Sequence, residues 1–370
     1  MFKHYFPIFI LPFLSAILAH AADSPEVAAT PVAQSSSVAK SKGALNPDMS
    51  ANMLILYNQS NLASHPDTEL PNGLLLQEAE LQLTADVDTR YRAAMIFSVH
   101  PSEEEGAGRG EYAFEPEEVF FETVGIPYAN IKIGKMKAAL GKHNLLHTHA
   151  FPFVDAPLSQ SQLLGPEGFG DLGASLAILL PLPWYSELIT EAFYDSQGPW
   201  SSPDGAQALG VVKLRNLWDI TDALTFELGL SGAAGKNQWD HSTTLKGADF
   251  TFKWRPTESV LAQSIAWSTE LMSMNQAGSE SRVNGVLSTW LQYSYDRVFG
   301  QLRAEISGLG RSEGVDRTTK QSVALGFAPS EFSAARLQYD HLAPVADRST
   351  EHRAALQWIM SIGAHPAHAY

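Results

Sequence analysis

Long segments of this chain alternate apolar and polar residues with a period of two. In residues 76–88, LQEAELQLTADVD, Leu81 and Leu83 share one face, while Glu78 and Glu80 share the other. The same alternation recurs in residues 90–100, 245–254, 286–295, 300–308 and 353–362. Because successive side chains of a β-strand point to opposite faces, this pattern predicts strands with one apolar and one polar face. Segments of about ten residues are long enough to cross a bilayer as tilted strands.

The connections between these segments alternate between short and long. Short turns are predicted near residues 87–88, 126–127, 182–183, 219–220, 256–257, 296–297 and 329–330. Long polar loops are predicted at 58–73, 100–115, 138–168, 196–206, 233–243, 275–283, 309–320 and 341–352. This layout predicts an all-β fold, a transmembrane antiparallel up-and-down β-barrel of 16 strands over residues 47–370, with 14 strands as the alternative count. Soluble β-sandwiches and propellers have shorter strands and more even loops, so they are the weaker interpretation.

The N-terminus carries export features. An apolar run at residues 6–18, FPIFILPFLSAIL, is followed by the small-residue cleavage pattern A-H-A. These features predict a signal peptide over residues 1–21, cleaved near Ala21. Residues 22–46 are small, polar and dotted with proline, which predicts a disordered periplasmic leader. The chain has no cysteine, so an exported fold of this size needs a large core or a closed sheet instead of disulfides.

These features together predict a protein of the outer membrane of a Gram-negative bacterium. The expected partners are outer-membrane lipid, the barrel-assembly machinery, and small hydrophilic solutes or ions, with a homotrimer as a further option. A formal net charge of −15 argues against binding nucleic acid through bulk charge.

A barrel of this predicted size is wide enough to enclose an aqueous lumen. Charged residues on the inward faces avoid the cost of facing lipid, which is about 2–4 kcal/mol for Arg or Lys at mid-depth. The predicted lumen-lining residues are Glu78, Glu80, Asp86, Arg90, Arg92, Glu118, Glu122, Lys132, Glu187 and Glu191. For any one of them, solvation of the wall is a more frequent role than selectivity. The polar lumen predicts a porin for passive diffusion.

The third external loop, residues 138–168, is the longest and contains the segment GKHNLLHTHAFPFVDAP. Phe151, Phe153 and Leu158 make it too apolar to stay exposed, which predicts that it folds into the lumen, with a cap outside the barrel as the alternative. Folded inward, the loop forms a constriction that sets selectivity. The predicted constriction residues are Lys135, Lys137, Lys142, His143, His147, His149 and Asp155.

Three of these residues, His143, His147 and His149, also form a candidate metal site. Imidazoles bind zinc, copper or nickel, but an H-x-H spacing is a weak signal and polar loops often collect histidines. No permanent cofactor is predicted. Transient capture of a divalent ion at this loop would make the chain a zinc uptake channel, which is the alternative function. An outer-membrane barrel enzyme is a weaker alternative, because the chain contains neither H-E-x-x-H nor C-x-x-C.

Three segments resemble a known group of proteins. Residues 131–144, IKIGKMKAALGKHN, resemble the strand and Gly-Lys segment of the phosphate-selective porin O/P family of Gram-negative outer membranes. Residues 146–158 and 361–370, LHTHAFPFVDAPL and SIGAHPAHAY, resemble a porin-like group within or beside that family, sometimes labelled zinc-regulated outer-membrane protein. The resemblance implies an outer-membrane channel. It also implies basic constriction loops in anion-selective members, whereas this chain is net negative, so cation against anion preference stays open.

Overall fold

The computed structural model describes residues 47–62, 71–102, 110–194, 198–201, 208–256, 262–278, 282–310, 317–344 and 349–363. The strands, in chain order, are β1 Asp48–Ser60, β2 Gly73–Asp86, β3 Tyr91–Pro101, β4 Tyr112–Thr123, β5 Ala129–Lys137, β6 Gly170–Leu179, β7 Tyr185–Tyr194, β8 Ala208–Thr221, β9 Leu224–Lys236, β10 Ser242–Trp254, β11 Gln263–Gln276, β12 Arg282–Tyr295, β13 Val298–Leu309, β14 Thr318–Ser330, β15 Ser333–Pro344 and β16 Glu351–Gly363. The predicted signal peptide, residues 1–21, and the predicted leader, residues 22–46, lie outside the described residues.

The sixteen strands form one closed antiparallel barrel in which each strand pairs with its neighbours in the chain. β1 closes the barrel by pairing with β16, in a register that sets Tyr57 opposite Leu356. Closure pairs the backbone groups of both outermost strands and leaves no free sheet edge, as a lipid environment requires. The prediction of a 16-stranded transmembrane barrel is confirmed.

The two faces of the wall differ in the way that the alternation predicts. Leu291, Leu302 and Leu325 point outward and are 42%, 57% and 62% exposed. Ser288 and Gln301 point inward and are 1% and 3% exposed. The outward rows therefore form the apolar band that contacts lipid in the outer membrane. Within the described ranges, no helix is long and apolar enough to cross a membrane.

The connections differ from the prediction in three places. Residues 233–243 are predicted as a long loop, but β9 and β10 extend through most of it and leave 237–241 as a short connection. Asn237 stabilises this connection, because its side-chain oxygen accepts a hydrogen bond from the backbone N–H of Trp239 at 3.1 Å. The turns predicted at residues 219–220 and 329–330 lie within β8 and β14, respectively.

Two β-bulges turn extra acidic and polar side chains into the barrel. Gln77 is an extra residue of β2, because its neighbours Leu76 and Glu78 pair with consecutive residues of β1. Glu117 is the corresponding extra residue of β4, next to Glu118 and opposite β3. A bulge sets two residues of one strand against one residue of its partner and bends the strand locally. Strict alternation therefore fails at both positions, and adjacent side chains there reach the lumen.

A positive charge on the lipid-facing row of β13 should destabilise the barrel. Leu302→Arg places a guanidinium near the middle of that strand, where burial in lipid costs about 2–4 kcal/mol. Gln292→Arg is the matched control, because Gln292 pairs with Gln301 on the inward face. Urea-induced unfolding in phospholipid vesicles measures both free energies. Equal losses in the two variants would contradict the assignment of the faces.

Candidate functional site

The connection between β5 and β6, residues 138–169, folds into the barrel, and we call it the inner loop. It contains two 3-10 turns, His143–Leu145 and Thr148–Ala150, and one helical turn, Leu158–Ser161, labelled α1. Most of its side chains are buried, with Val154 at 0% exposure. It contacts β1, β2, β7, β8, β9 and every strand from β11 to β16, which together lie around most of the barrel. The prediction that the third external loop folds inward is confirmed.

The first residues of the inner loop dock through their backbone. The N–H of Ala139 donates to Glu191 at 2.8 Å, and the N–H of Lys142 donates to Glu270 at 2.5 Å. Gly141 lies between these two contacts with φ at 58°, and a Cβ atom there would be 2.4 Å from the Glu270 carboxylate. Only glycine combines this backbone conformation with so close an approach.

Lys142 and His143 contact the wall on the β9, β11 and β12 side. The Lys142 Nζ is 3.3 Å from a carboxylate oxygen of Glu227. Burial lowers the pKa of Lys142, and the pairing with Glu227 opposes that shift only in part. The Nε2 of His143 accepts a hydrogen bond from the indole of Trp290 at 3.0 Å, and its Nδ1 is 3.4 Å from Glu270.

His147 lies between two carboxylates of β4. Its Nδ1 is 2.5 Å from Glu117, and its Nε2 is 3.0 Å from Glu118. Burial lowers the pKa of His147, but the hydrogen bonds with the two glutamates outweigh burial and raise the pKa to about 10. Because of the bulge in β4, the adjacent residues Glu117 and Glu118 both contact the imidazole of His147. Glu117 was not predicted as a site residue, since simple alternation places it on the outer face.

His149 stacks beside His147, with ring centroids 6.0 Å apart, and faces β2. Its Nδ1 is 3.3 Å from Glu80 and 3.8 Å from Glu78. Burial lowers the pKa of His149, but the two glutamates raise it overall. The structure therefore does not bring the three histidines of the predicted metal site together. The 3-10 turns separate His143, on Trp290 of β12, from the histidine pair on β2 and β4.

Asp155 anchors the second half of the inner loop. Its carboxylate is 2.7 Å from Arg303 and 2.6 Å from Arg353, and it also pairs with Lys320. Burial raises the pKa of Asp155, but these three cations hold it well below its usual range. Lys320 and Arg353 were not predicted as site residues, because they lie 165 and 198 positions from Asp155 in the chain.

Apolar contacts fill much of the space between the inner loop and the wall. Leu140, Leu158 and Phe169 of the loop pack against apolar residues on the inward face. These wall residues are Phe193, Leu209, Val211, Leu245, Met272, Met274 and Val286. The lumen is thus only partly polar, which differs from the predicted polar wall. The physical reason is that an inward-folded apolar loop needs an apolar surface against which to bury its side chains.

The two lysines at the end of β5 occupy different environments. The Lys137 Nζ is 3.7 Å from Glu117 and donates to the backbone oxygen of Glu167 at 3.0 Å. Lys135 instead pairs with Leu172, an outward residue that is 58% exposed. Directly paired residues of adjacent strands share a face, so Lys135 lies on the outer face. Its prediction as a constriction residue is wrong.

The predicted lumen-lining residues divide into three groups. Glu78, Glu80, Glu118 and Glu191 contact the inner loop, while Glu122, Lys132 and Glu187 lie on the same inward rows away from those contacts. Asp86 and Arg92 pair with each other at 2.9 Å, near the ends of β2 and β3, where both are about half exposed. Arg90 lies in the turn between β2 and β3, so it belongs to the rim and its prediction as a wall residue is wrong.

The barrel is similar to solved outer-membrane proteins. The anion-selective porin from Comamonas acidovorans aligns with a TM-score of 0.59 and 8% identity, over 86% of this chain and 99% of its own. OmpT of Vibrio cholerae, as a loop L8 deletion mutant, aligns with a TM-score of 0.57 and 8% identity, over 86% and 99%. The channel DcaP of Acinetobacter baumannii aligns with a TM-score of 0.56 and 10% identity, over 85% and 97%. These similarities establish the outer-membrane barrel fold.

Sequence comparison adds one relative. No protein-family profile matches the chain. An uncharacterized protein of Aquifex aeolicus (strain VF5) is 24% identical over 365 residues, which cover 85% of this chain and 74% of the relative.

Removal of the negative charge at Asp155 should release the second half of the inner loop. Asp155→Asn leaves Arg303, Lys320 and Arg353 without their shared carboxylate, and loss of one partner of a buried ion pair costs about 3–5 kcal/mol. Amide hydrogen exchange in the inner loop should accelerate by at least about 100-fold, since 1.4 kcal/mol is a factor of ten. Asp240→Asn is the control, because Asp240 forms an exposed pair with Lys236 at 2.6 Å. Unchanged exchange in Asp155→Asn would show that these ion pairs do not hold the loop.

Proposed function

We propose that this chain is an outer-membrane porin through which small hydrophilic solutes or ions diffuse passively, and that the inner loop sets the size of the path. One observation carries the proposal. The inner loop crosses the lumen of a closed barrel and docks by charge on both sides, through Lys142 on Glu227 and through Asp155 on Arg303. A wide barrel with a loop fixed in its lumen is an architecture that restricts flow without abolishing it.

Selectivity follows from the charges that remain available to a passing ion. Lys137 and Lys142, the basic residues of the predicted constriction on the inward side, are each paired with a carboxylate, Glu117 and Glu227 respectively. Lys135 lies on the outer face. A paired lysine attracts an anion much less than a free one, so we infer no strong preference for anions and no phosphate selectivity.

Other expectations have less support. Uptake of a metal ion by a three-histidine site is not favoured, because His143 lies apart from His147 and His149. Membership in the phosphate-selective porin O/P family and the absence of enzymatic activity stay predictions. A trimer form is named for OmpT of Vibrio cholerae. We extend a homotrimer to this chain only as a proposal, together with assembly by the barrel-assembly machinery.

Removal of the inner loop should raise single-channel conductance several-fold. The loop can be excised cleanly, because Lys137 and Gly170 are cross-strand partners and the N–H of Ala138 donates to the Phe169 oxygen at 3.0 Å. Residues 139–168 are replaced by Asn-Gly, which favours a two-residue hairpin turn. Planar-bilayer recordings compare the variant with the wild type.

A second variant keeps the loop length but replaces residues 142–167 with Gly and Ser. It removes the docking contacts while preserving the chain connection, so it tests packing separately from loop volume. Heat-modifiable gel mobility confirms that each variant is folded. Absence of any conductance in the wild-type protein would contradict the proposal that it is a porin. Equal conductance of all three folded proteins would contradict the proposal that the inner loop restricts the path.

Phosphate should neither block nor compete with chloride current. The reversal potential in a KCl gradient should show no strong anion preference, because the lysines of the inner loop are paired. Measurement in chloride alone and in chloride with added phosphate gives both results. The double variant Lys142→Gln, Glu227→Gln removes a matched pair of opposite charges and keeps the local net charge, so it should leave the anion preference unchanged. A strongly anion-selective potential with block by phosphate would overturn this inference.

A further inference from the structure

The two strands that carry the inner loop, β5 and β6, are largely left uncovered by it. The loop leaves β5 after Lys137 and returns at Gly170. At this end of β5, Met136 packs in the same apolar cluster as Leu140 of the loop. Among the contacts of the loop with described residues, none reaches the inward side chains of β5 or β6 below this cluster. The loop instead crosses the lumen and docks on other strands.

Exposure distinguishes this uncovered stretch from the wall on the far side of the loop. Asn130 and Lys132 of β5 and Ala177 of β6 lie on the inward face and are partly exposed. Gln301 is the matched position on the covered side, because Lys132 and Gln301 are each the fourth residue of their strand. Gln301 also points inward but is 3% exposed. Water therefore reaches the wall at β5 and β6, whereas the wall at β13 is closed off.

Small inward residues leave space in the lumen beside β5 and β6. Gly134 and Gly173 are direct partners across the two strands, and Ser175 and Ala177 follow on the same face of β6. Gly134 has a φ of 143°, and a Cβ atom there would be 2.2 Å from the backbone oxygen of Val119. The close approach of β4 thus requires glycine at this position. The same requirement leaves this inward position without a side chain.

Lys132 is the cation of this stretch, and its environment differs from that of the lysines near the loop. It lies directly opposite Glu122 of β4, and its Nζ is 4.1 Å from the centre of the Phe120 ring. Within the described part of the chain, Lys132 forms no ion pair within 4.0 Å. Lys137 and Lys142 are each paired with a carboxylate. A charge without a close partner acts more strongly on a passing ion than a paired one.

We propose that ions and small solutes pass through the lumen against β5 and β6, and that Lys132 sets their charge preference there. This inference rests on the proposed function, to which it adds the position of the path and the residue that tunes it. Glu122 is held beside the path, since its carboxylate accepts a hydrogen bond from Asn130 at 3.2 Å. The path therefore presents one cation and one carboxylate side by side, an arrangement suited to dipolar solutes and to ions of either sign.

Cysteine labelling during current recording tests the position of the path. The chain has no cysteine, so a single introduced thiol is the only target. Ala177→Cys and Lys132→Cys place that thiol beside β5 and β6. Ala324→Cys is the matched control, because Ala324 lies on the inward face of β14 at 1% exposure. A cationic methanethiosulfonate reagent should lower the current of the first two to roughly half or less by narrowing the path, and leave the control unchanged.

Each variant is compared with its own current before labelling, so a change in folding is not mistaken for block. Block at Ala324→Cys alone, equal block in all three variants, or no block at either cysteine beside β5 and β6 would overturn the position of the path. The porin itself stands in these three cases, because the unlabelled protein conducts. A wild-type protein without any current would instead contradict the proposed function.

Reversal potentials in a KCl gradient test the role of Lys132. Lys132→Gln should raise the cation-to-anion permeability ratio by about threefold, the factor for a unit charge about 6–7 Å from an ion in water. Lys246→Gln is the matched control, because it removes the same charge from the outer face, next to Leu245, which is buried on the inward face. Glu122→Gln should change the ratio in the opposite direction. Equal reversal potentials for Lys132→Gln and the wild type would overturn the assignment of Lys132.

Discussion

The contact between Asp155 and the three cations around it holds the inner loop in the barrel. Arg303, Lys320 and Arg353 are 4%, 2% and 1% exposed, and burying such charges costs several kcal/mol each unless anions oppose them. Asp340 contributes a second carboxylate, 2.6 Å from Arg353. The Asp155 carboxylate of the loop therefore neutralises part of the positive charge of the wall, and the cations of the wall neutralise Asp155. Each is stable in this position only together with the other.

The order of charges along the inner loop also decides which part of it docks on which strands. Its imidazoles, at His147 and His149, meet glutamates on β2 and β4, and its carboxylate, at Asp155, meets cations on β13, β14 and β16. A loop that slid along the wall would set Asp155 beside Glu80, where two like charges would be buried together. A buried ion pair adds little net stability over an apolar pair of similar shape, but a buried charge without its partner costs about 3–5 kcal/mol, so these pairs disfavour a shifted loop. The apolar contacts of Leu158 and its neighbours then supply attraction that does not depend on this order.

The sequence predicts the barrel well, because the barrel follows from a local rule. Alternation with a period of two is visible within each segment, and strand number follows from counting connections. The misplaced long loop at 233–243 arose because Gly, Ala and Asn resemble a loop, although the side chain of Asn237 closes a short connection instead. The inward apolar residues, such as Phe193 and Met272, were less predictable, since they are explained only by a loop far away in the chain.

The site was less predictable, because it depends on register between strands. The H-x-H spacing of His147 and His149 does not predict which glutamates contact these two histidines, since the glutamates come from β2 and β4. These strands are not adjacent: β3 lies between them, and two strand spacings amount to about 9.6 Å. Long glutamate side chains cover that distance only if the intervening strand leaves space. Ser98 of β3, which pairs with Glu80, is small and 1% exposed. A large residue at Ser98 would fill the space in which carboxylates and imidazoles converge, so a small residue between two acidic rows is as much a determinant of the site as the histidines.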